Sequence, residues 1–161
     1  MGSTAPARYN PGAATDPLVL PKAVNGQAAG AGRPTILLAD DESAMLERLR
    51  RLLESEFRIV GTAPDGEALL AAAERLKPDL ILSDISMPVL NGFEAARRLK
   101  SASPEARIIF LTVHEEPTVV LEALGIGVQG YVIKRSAAQD LITAIHEVLQ
   151  GRSFVSPGVS W

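Results

Sequence analysis

The sequence predicts an α/β fold, a five-stranded parallel sheet with helices on both faces. Three observations predict it. Short aliphatic runs recur from Thr35 onward. Segments with the 3.6-residue apolar period of helices lie between them. Turn formers punctuate the joints, with Asp65-Gly66, Asn91-Gly92 and Gly127 between elements and Pro78 and Pro104 after helical segments. Strands that are apolar throughout and separated by helices belong to a parallel sheet covered on both sides.

The expected strands are Ile36–Ala39, Arg58–Ala63, Leu80–Ser83, Arg107–Thr112 and Gly130–Ile133, all read as buried. The first helix carries Met45, Leu49, Leu52 and Leu53 on one face, and the second carries Leu69, Ala72, Ala73 and Leu76. Phe93, Ala96 and Leu99 mark the third, and Val120, Ala123 and Leu124 the fourth. Leu141, Ile145, Val148 and Leu149 mark the fifth, with Gly151 as its stop. Each stripe by itself signals core and nothing more.

Residues 1–34 are rich in Ala, Gly, Pro, Asn and Thr and show no apolar period. Such a stretch buries too little to offset its ordering entropy, so it reads as a disordered leader. The folded part spans residues 35–151, and residues 152–161 read as a tail or the start of a linker. Of the 161 residues, 47% are hydrophobic and 22% charged, which suits one domain with a real core. The net charge of −3 and the lack of a basic patch argue against direct nucleic-acid binding. The chain has no cysteine, which excludes a disulfide scaffold and a thiolate metal site. No run is long and apolar enough to span a bilayer, and the N-terminus lacks a signal-peptide centre, so a cytoplasmic location is expected.

Ligands of open parallel sheets bind beyond the carboxyl ends of the strands. There the first strand offers Asp40 and Asp41, the third Asp84, the fourth Thr112 and the fifth Lys134. Taken singly, each has a plain reading. Asp41 or Glu42 would cap a helix, Asp84 would make an Asx turn, Thr112 would fill a strand and Lys134 would sit on the surface. Their coincidence at four strand ends favours a site. Crowded carboxylates repel one another and are costly to bury. Mg²⁺, a hard cation that prefers oxygen ligands, would offset that repulsion. One carboxylate could then attack phosphorus, while a lysine and a hydroxyl grip the phosphoryl oxygens.

The stretches Leu37–Glu42 (LLADDE), Leu80–Glu94 (LILSDISMPVLNGFE), Ile108–Val113 (IIFLTV) and Gly130–Lys134 (GYVIK) resemble the receiver domain of bacterial two-component response regulators. That resemblance runs from Thr35 to about Gly151 and implies the flavodoxin-like (βα)5 receiver fold. It implies that Asp84 is the phosphoacceptor and that Asp40 and Asp41 hold Mg²⁺, Asp41 directly and Asp40 through water. It gives the backbone carbonyl of Ser86 to the metal, the switch hydroxyl to Thr112, the phosphate contact to Lys134 and the reporting aromatic to Tyr131. Met87-Pro88 and Asn91-Gly92 would shape the exit from the site. A histidine kinase would be the phosphoryl donor.

Residues Gly130–Pro157 resemble receivers that precede a LuxR-type helix-turn-helix domain, including a residue other than proline, Arg135, after the lysine. The resemblance thus favours a receiver cut from a DNA-binding regulator, the output domain being absent from this chain, over the alternative of a complete single-domain regulator. It also implies a monomer or weak homodimer, with the first and last helices as the surface for self-association or for contact with an output domain.

The alternative is an Asp-nucleophile phosphohydrolase of the haloacid dehalogenase type, which also uses Mg²⁺. That pattern places a second Asp two residues past the nucleophile, where this chain has Ser86. Ser86 and His114 stand at equal offsets past Asp84 and Thr112, so both are expected at the rim of the site, with His114 partly covering the phosphoryl group. His146 reads as an ordinary helix residue and Trp161 as a frayed end.

Overall fold

The computed structural model describes residues 32–159. Most of the expected leader, and Trp161, therefore lie outside the described residues. Residues 35–55 and 59–159 form one compact unit. Among the described residues, 32–34 and 56–58 belong to a second, within which the Arg58 N–H donates to the Pro34 carbonyl at 2.9 Å.

The strands are β1 (Thr35–Ala39), β2 (Arg58–Ala63), β3 (Leu80–Ser83), β4 (Ile108–Thr112), β5 (Gly130–Ile133) and β6 (Phe154–Val155). The helices are α1 (Ser43–Leu53), α2 (Gly66–Leu76), α3 (Gly92–Ala102), α4 (Pro117–Ile126) and α5 (Ala137–Leu149), with a 3-10 turn at Lys134–Ser136 leading into α5. The sheet order is β2-β1-β3-β4-β5-β6, and the pairings from β1 through β6 are parallel. Helices flank this sheet: α2, α3 and α4 pack side by side, while α5 packs on β4, β5 and β6.

The central strands are apolar on both faces because both are covered. Ile36, Leu37, Leu38, Leu80, Ile81, Leu82, Ile108, Ile109, Phe110 and Leu111 are all buried. Of the helical stripes, Leu49, Leu53, Leu69, Ala72, Ala73, Ala96, Val120, Ala123, Leu141, Ile145 and Val148 are buried. Phe93, Leu99 and Leu124 are half-buried against this core, and Phe93 meets Phe110 edge-on at 5.6 Å between ring centroids.

Two features depart from the sequence reading. β2 is the sheet edge and not a buried strand; of its six residues only Ala63 is fully buried. An edge strand lacks a neighbour on one side, which leaves room for polar residues such as Arg58 and Thr62. The second departure is β6. The segment read as a tail adds a short strand beyond β5, in register Gly130↔Phe154 and Tyr131↔Val155. Two residues are too few to show any apolar alternation, so periodicity could not reveal them.

Candidate functional site

The site lies where β1, β3, β4 and β5 end. Parallel strands in register bring their carboxyl ends level: Ala39 pairs with Ser83, and Thr112 with Ile133. The residues that follow, Asp40, Asp84 and Lys134, are thereby delivered to one place. The main chain fixes the two aspartates further, since the Asp84 N–H donates to the Ala39 carbonyl at 2.9 Å and the Asp40 N–H to the Ala63 carbonyl at 3.0 Å.

Asp40 is buried, and its Oδ1 accepts the Glu42 N–H at 2.9 Å, shaping the turn into α1. Glu42 is the N-cap residue of α1 and its side chain makes no capping bond. Asp41 projects to solvent beside them. Asp84 is buried; its Oδ1 accepts the Ile85 N–H at 2.7 Å and its Oδ2 accepts from Lys134 Nζ at 3.1 Å. The same ammonium lies 2.9 Å from Asp40 Oδ2. One cation thus bridges the two buried carboxylates.

The electrostatics follow from this burial. Desolvation raises the Asp84 carboxyl above the ordinary aspartate value; the hydrogen bond and charge of Lys134 hold it part of the way back, and Asp40 pushes it up again. Desolvation works against the Lys134 ammonium, yet its bonds to Asp40 and Asp84 outweigh that and raise it. The site therefore keeps its lysine charged and an aspartate that is costly to ionise.

Ligand atoms of Asp40, Asp41 and Asp84 all lie within 4.8 Å of one another. Three hard oxygen donors, two of them buried, fit a Mg²⁺ ion that retains part of its water shell. They do not fit a soft metal, since the chain has no thiolate and no imidazole stands in the cluster.

A second group lies at the β4 end. Thr112 is fully buried, and its Oγ1 accepts the His114 N–H at 3.2 Å. His114 Nε2 is 3.1 Å from Ser86 Oγ, so the two rim residues touch. The Tyr131 ring is fully buried, and its hydroxyl donates to the His114 carbonyl at 2.8 Å. Burial, aided by the charges of Glu116 and Asp84, pushes the Tyr131 phenol far up, so it stays a donor.

The loop from Ser86 to Asn91 leads from the Asp84 segment to α3. The Leu90 N–H donates to the Pro88 carbonyl at 2.7 Å, closing a three-residue turn around Val89, which takes φ 69°. A β-branched residue there is strained, and Val89 is 76% exposed. Gly92 holds the far end: its N–H donates to the Ile85 carbonyl at 2.7 Å, and a Cβ there would collide with the Asp84 carbonyl oxygen. Asn91 caps α3 by accepting the Glu94 N–H at 3.0 Å.

The family described as "Response regulator receiver domain" matches residues 36–146. The transcriptional regulatory protein DegU of Brevibacillus brevis is 36% identical over 127 residues, covering 78% of this chain and 54% of the relative. The nitrate/nitrite response regulator protein NarL of Escherichia coli K12 is 34% identical over 128 residues, covering 78% and 59%. The chain spans little more than half the length of these curated relatives. Among solved structures, a LuxR-family two-component response regulator from Aurantimonas sp. SI85-9A1 superposes with a TM-score of 0.77 at 32% identity, over 80% of this chain and 93% of that one. The isolated REC domain of RcsB from Salmonella enterica serovar Typhimurium, solved with phosphomimetic BeF3-, gives 0.74 at 27% identity, over 80% and 96%.

Proposed function

The chain belongs to the response regulator receiver domain family of two-component systems, and on that premise we propose that it is a switch thrown by phosphorylation of Asp84. The observation that carries the proposal is the pairing of Asp84 with Lys134 inside a cluster of three carboxylates.

The donor is the phosphohistidine of a histidine kinase. An Asp84 carboxylate oxygen attacks phosphorus; the new O–P bond forms as the N–P bond breaks, and the electron pair leaves with the imidazole. Lys134 already stands at that carboxylate and neutralises one phosphoryl oxygen, while the Thr112 hydroxyl turns from His114 to donate to another. Asp40, Asp41, Asp84 and the Ser86 carbonyl would hold Mg²⁺, which supplies further neutralisation of the phosphoryl charge. Little else is needed, because phosphoryl transfer is chiefly positioning and charge balance.

The acyl phosphate favours the arrangement with Thr112 drawn in and Tyr131 inside, shifting population between two surfaces. The chain is otherwise no enzyme; it catalyses only its own phosphorylation and dephosphorylation. No helix of the described residues is long and apolar enough to cross a membrane, and the reading places the protein in the cytoplasm with its kinase's phosphohistidine. A groove of about 240 Å³ between α1 and the start of α5, lined by Met45, Leu49, Leu52, Arg48, Arg135 and Ala138, supports weak self-association or output-domain contact on that face. DegU and NarL are named as regulators of transcription and of the nitrate/nitrite response; a DNA-binding output partner is the corresponding proposal here.

Intact-mass measurement after incubation with acetyl phosphate and Mg²⁺ tests the function. A single lasting phosphoryl adduct is expected. Turnover of the donor with no adduct would indicate a phosphohydrolase instead, and no reaction at all would indicate an inert site.

A further inference from the structure

We propose that the segment Phe154–Val159 is a strap that reads the switch strand β5, and that its seat tightens when Asp84 carries a phosphoryl group. The inference rests on the roles proposed above for Asp84, Thr112 and Tyr131.

The strap takes up the outer edge of β5 bond by bond. The Phe154 N–H donates to the Gln129 carbonyl at 3.0 Å, and the Ser156 N–H donates to the Tyr131 carbonyl at 2.9 Å. Ser156 is 2% exposed, and its hydroxyl works in both directions. Its Oγ accepts the Ile133 N–H at 3.1 Å and donates to Asp140 Oδ2 at 2.9 Å, joining β5 to the first turn of α5. The Val159 N–H donates to the Ser156 carbonyl at 3.1 Å, and its side chain is buried in the core cluster.

These anchors fall on residues that the switch would move. Tyr131, whose carbonyl seats Ser156, is the inward aromatic. Ile133, whose N–H reaches Ser156, pairs across the sheet with Thr112 and directly precedes Lys134. A second path closes the circuit: Gly158 lies against the Arg135 guanidinium, which forms a two-pronged ion pair with Glu115 at 2.6 and 3.0 Å. Glu115 follows His114, whose carbonyl holds the Tyr131 hydroxyl.

A two-residue strand cannot hold itself to a sheet edge. The strap is seated instead by the buried Ser156 and Val159, so its hold on the sheet depends on where β5 places their partners. It is seated here with Tyr131 inside. A ligand at Asp84 that favours the inward arrangement therefore favours the seated strap, and by linkage the seated strap favours that ligand by the same factor.

The test uses the full chain with beryllofluoride and Mg²⁺ as the phosphoryl mimic. Amide hydrogen exchange at Phe154, Ser156 and Val159 should slow by about fivefold or more on saturation, a typical coupling between linked sites. Ser156→Ala should weaken beryllofluoride binding, measured by calorimetry, by the same factor, and Ser156→Thr, which keeps the hydroxyl, should restore it. Unchanged or faster exchange at the strap of a saturated wild-type protein would overturn the proposal, even if Ser156→Ala fails to fold. Failure of the wild type to bind beryllofluoride at all would instead sink the phosphorylation reading, and the strap with it.

Discussion

Replacing Lys134 with methionine keeps the aliphatic stem and deletes the ammonium that lies 2.9 Å from Asp40 Oδ2 and 3.1 Å from Asp84 Oδ2. At an effective dielectric of about 20, each attraction is worth roughly 5 kcal/mol before desolvation is charged against it. Desolvation offsets much of that, and breaking a buried pair from one side leaves a net cost of about 3–5 kcal/mol. The Lys134 side chain keeps 12% of its surface exposed, so we expect the lower end, about 3 kcal/mol near pH 8 in metal-free buffer. The corresponding drop in Tm is roughly 10 °C for a domain of this size. The loss should also depend on pH. Burial already raises the Asp84 carboxyl above its ordinary value of 3.8, with Lys134 opposing the rise. Without Lys134 it rises further, so the folded variant binds a proton that the unfolded chain has released. Stability from such a group is present below the unfolded pKa and is lost as pH climbs through the folded one. The deficit relative to wild type should therefore widen as pH climbs from the ordinary aspartate value toward neutrality and above. Urea unfolding with a chelator present, at mildly acidic and mildly basic pH, measures it. A variant within about 0.5 kcal/mol of wild type at the basic pH, the range of an ordinary surface substitution, would refute the reasoning. A deficit larger at the acidic pH would refute it equally.

Mg²⁺ at a hundred times its Kd should stabilise the wild type by about 2.7 kcal/mol, and in Asp41→Asn the thermal shift should largely vanish. In metal-free buffer that variant should gain about 1 kcal/mol, the water-screened repulsion of two charges no more than 4.8 Å apart; an unchanged Mg²⁺ shift would move the metal elsewhere. His114→Ala removes the imidazole that meets Ser86 at 3.1 Å. It should shorten the phosphoaspartate half-life by about fivefold, the value of roughly one hydrogen bond, and equal loss of label from both proteins would leave His114 without that role. Sedimentation of unphosphorylated protein should show a monomer, or a weak dimer at high concentration, and a tight dimer would contradict the partner surface proposed for α1 and α5.

The βα order was legible because burial on both faces leaves strands such as Ile36–Ala39 and Ile108–Thr112 with no polar alternation. The meeting of Asp40, Asp84 and Lys134 was legible for the same reason, since each directly follows such a strand. Equal offsets past Asp84 and Thr112 placed Ser86 and His114 at one rim, and the structure has them in contact. Other features leave no such trace. The edge position of β2 depends on sheet order, which no local pattern encodes. β6 is held by main-chain bonds and by Ser156, a residue that reads as an ordinary turn former. The left-handed turn at Val89 contradicts the preference of its own side chain, so propensity points the wrong way there. The inward Tyr131 is a rotamer, fixed by the distant His114 carbonyl and not by neighbours in sequence.

The central claim is that Asp84 accepts the phosphoryl group, and the most direct measurement is chemical location of that group. Protein treated with acetyl phosphate and Mg²⁺ is reduced with borohydride, which converts an aspartyl phosphate to homoserine, and is then mapped by peptide mass spectrometry. The account predicts homoserine at position 84 alone, and no phosphoryl adduct on a folded Asp84→Asn variant. Homoserine at Asp40 or Asp41, or undiminished phosphorylation of Asp84→Asn on any residue, would contradict it.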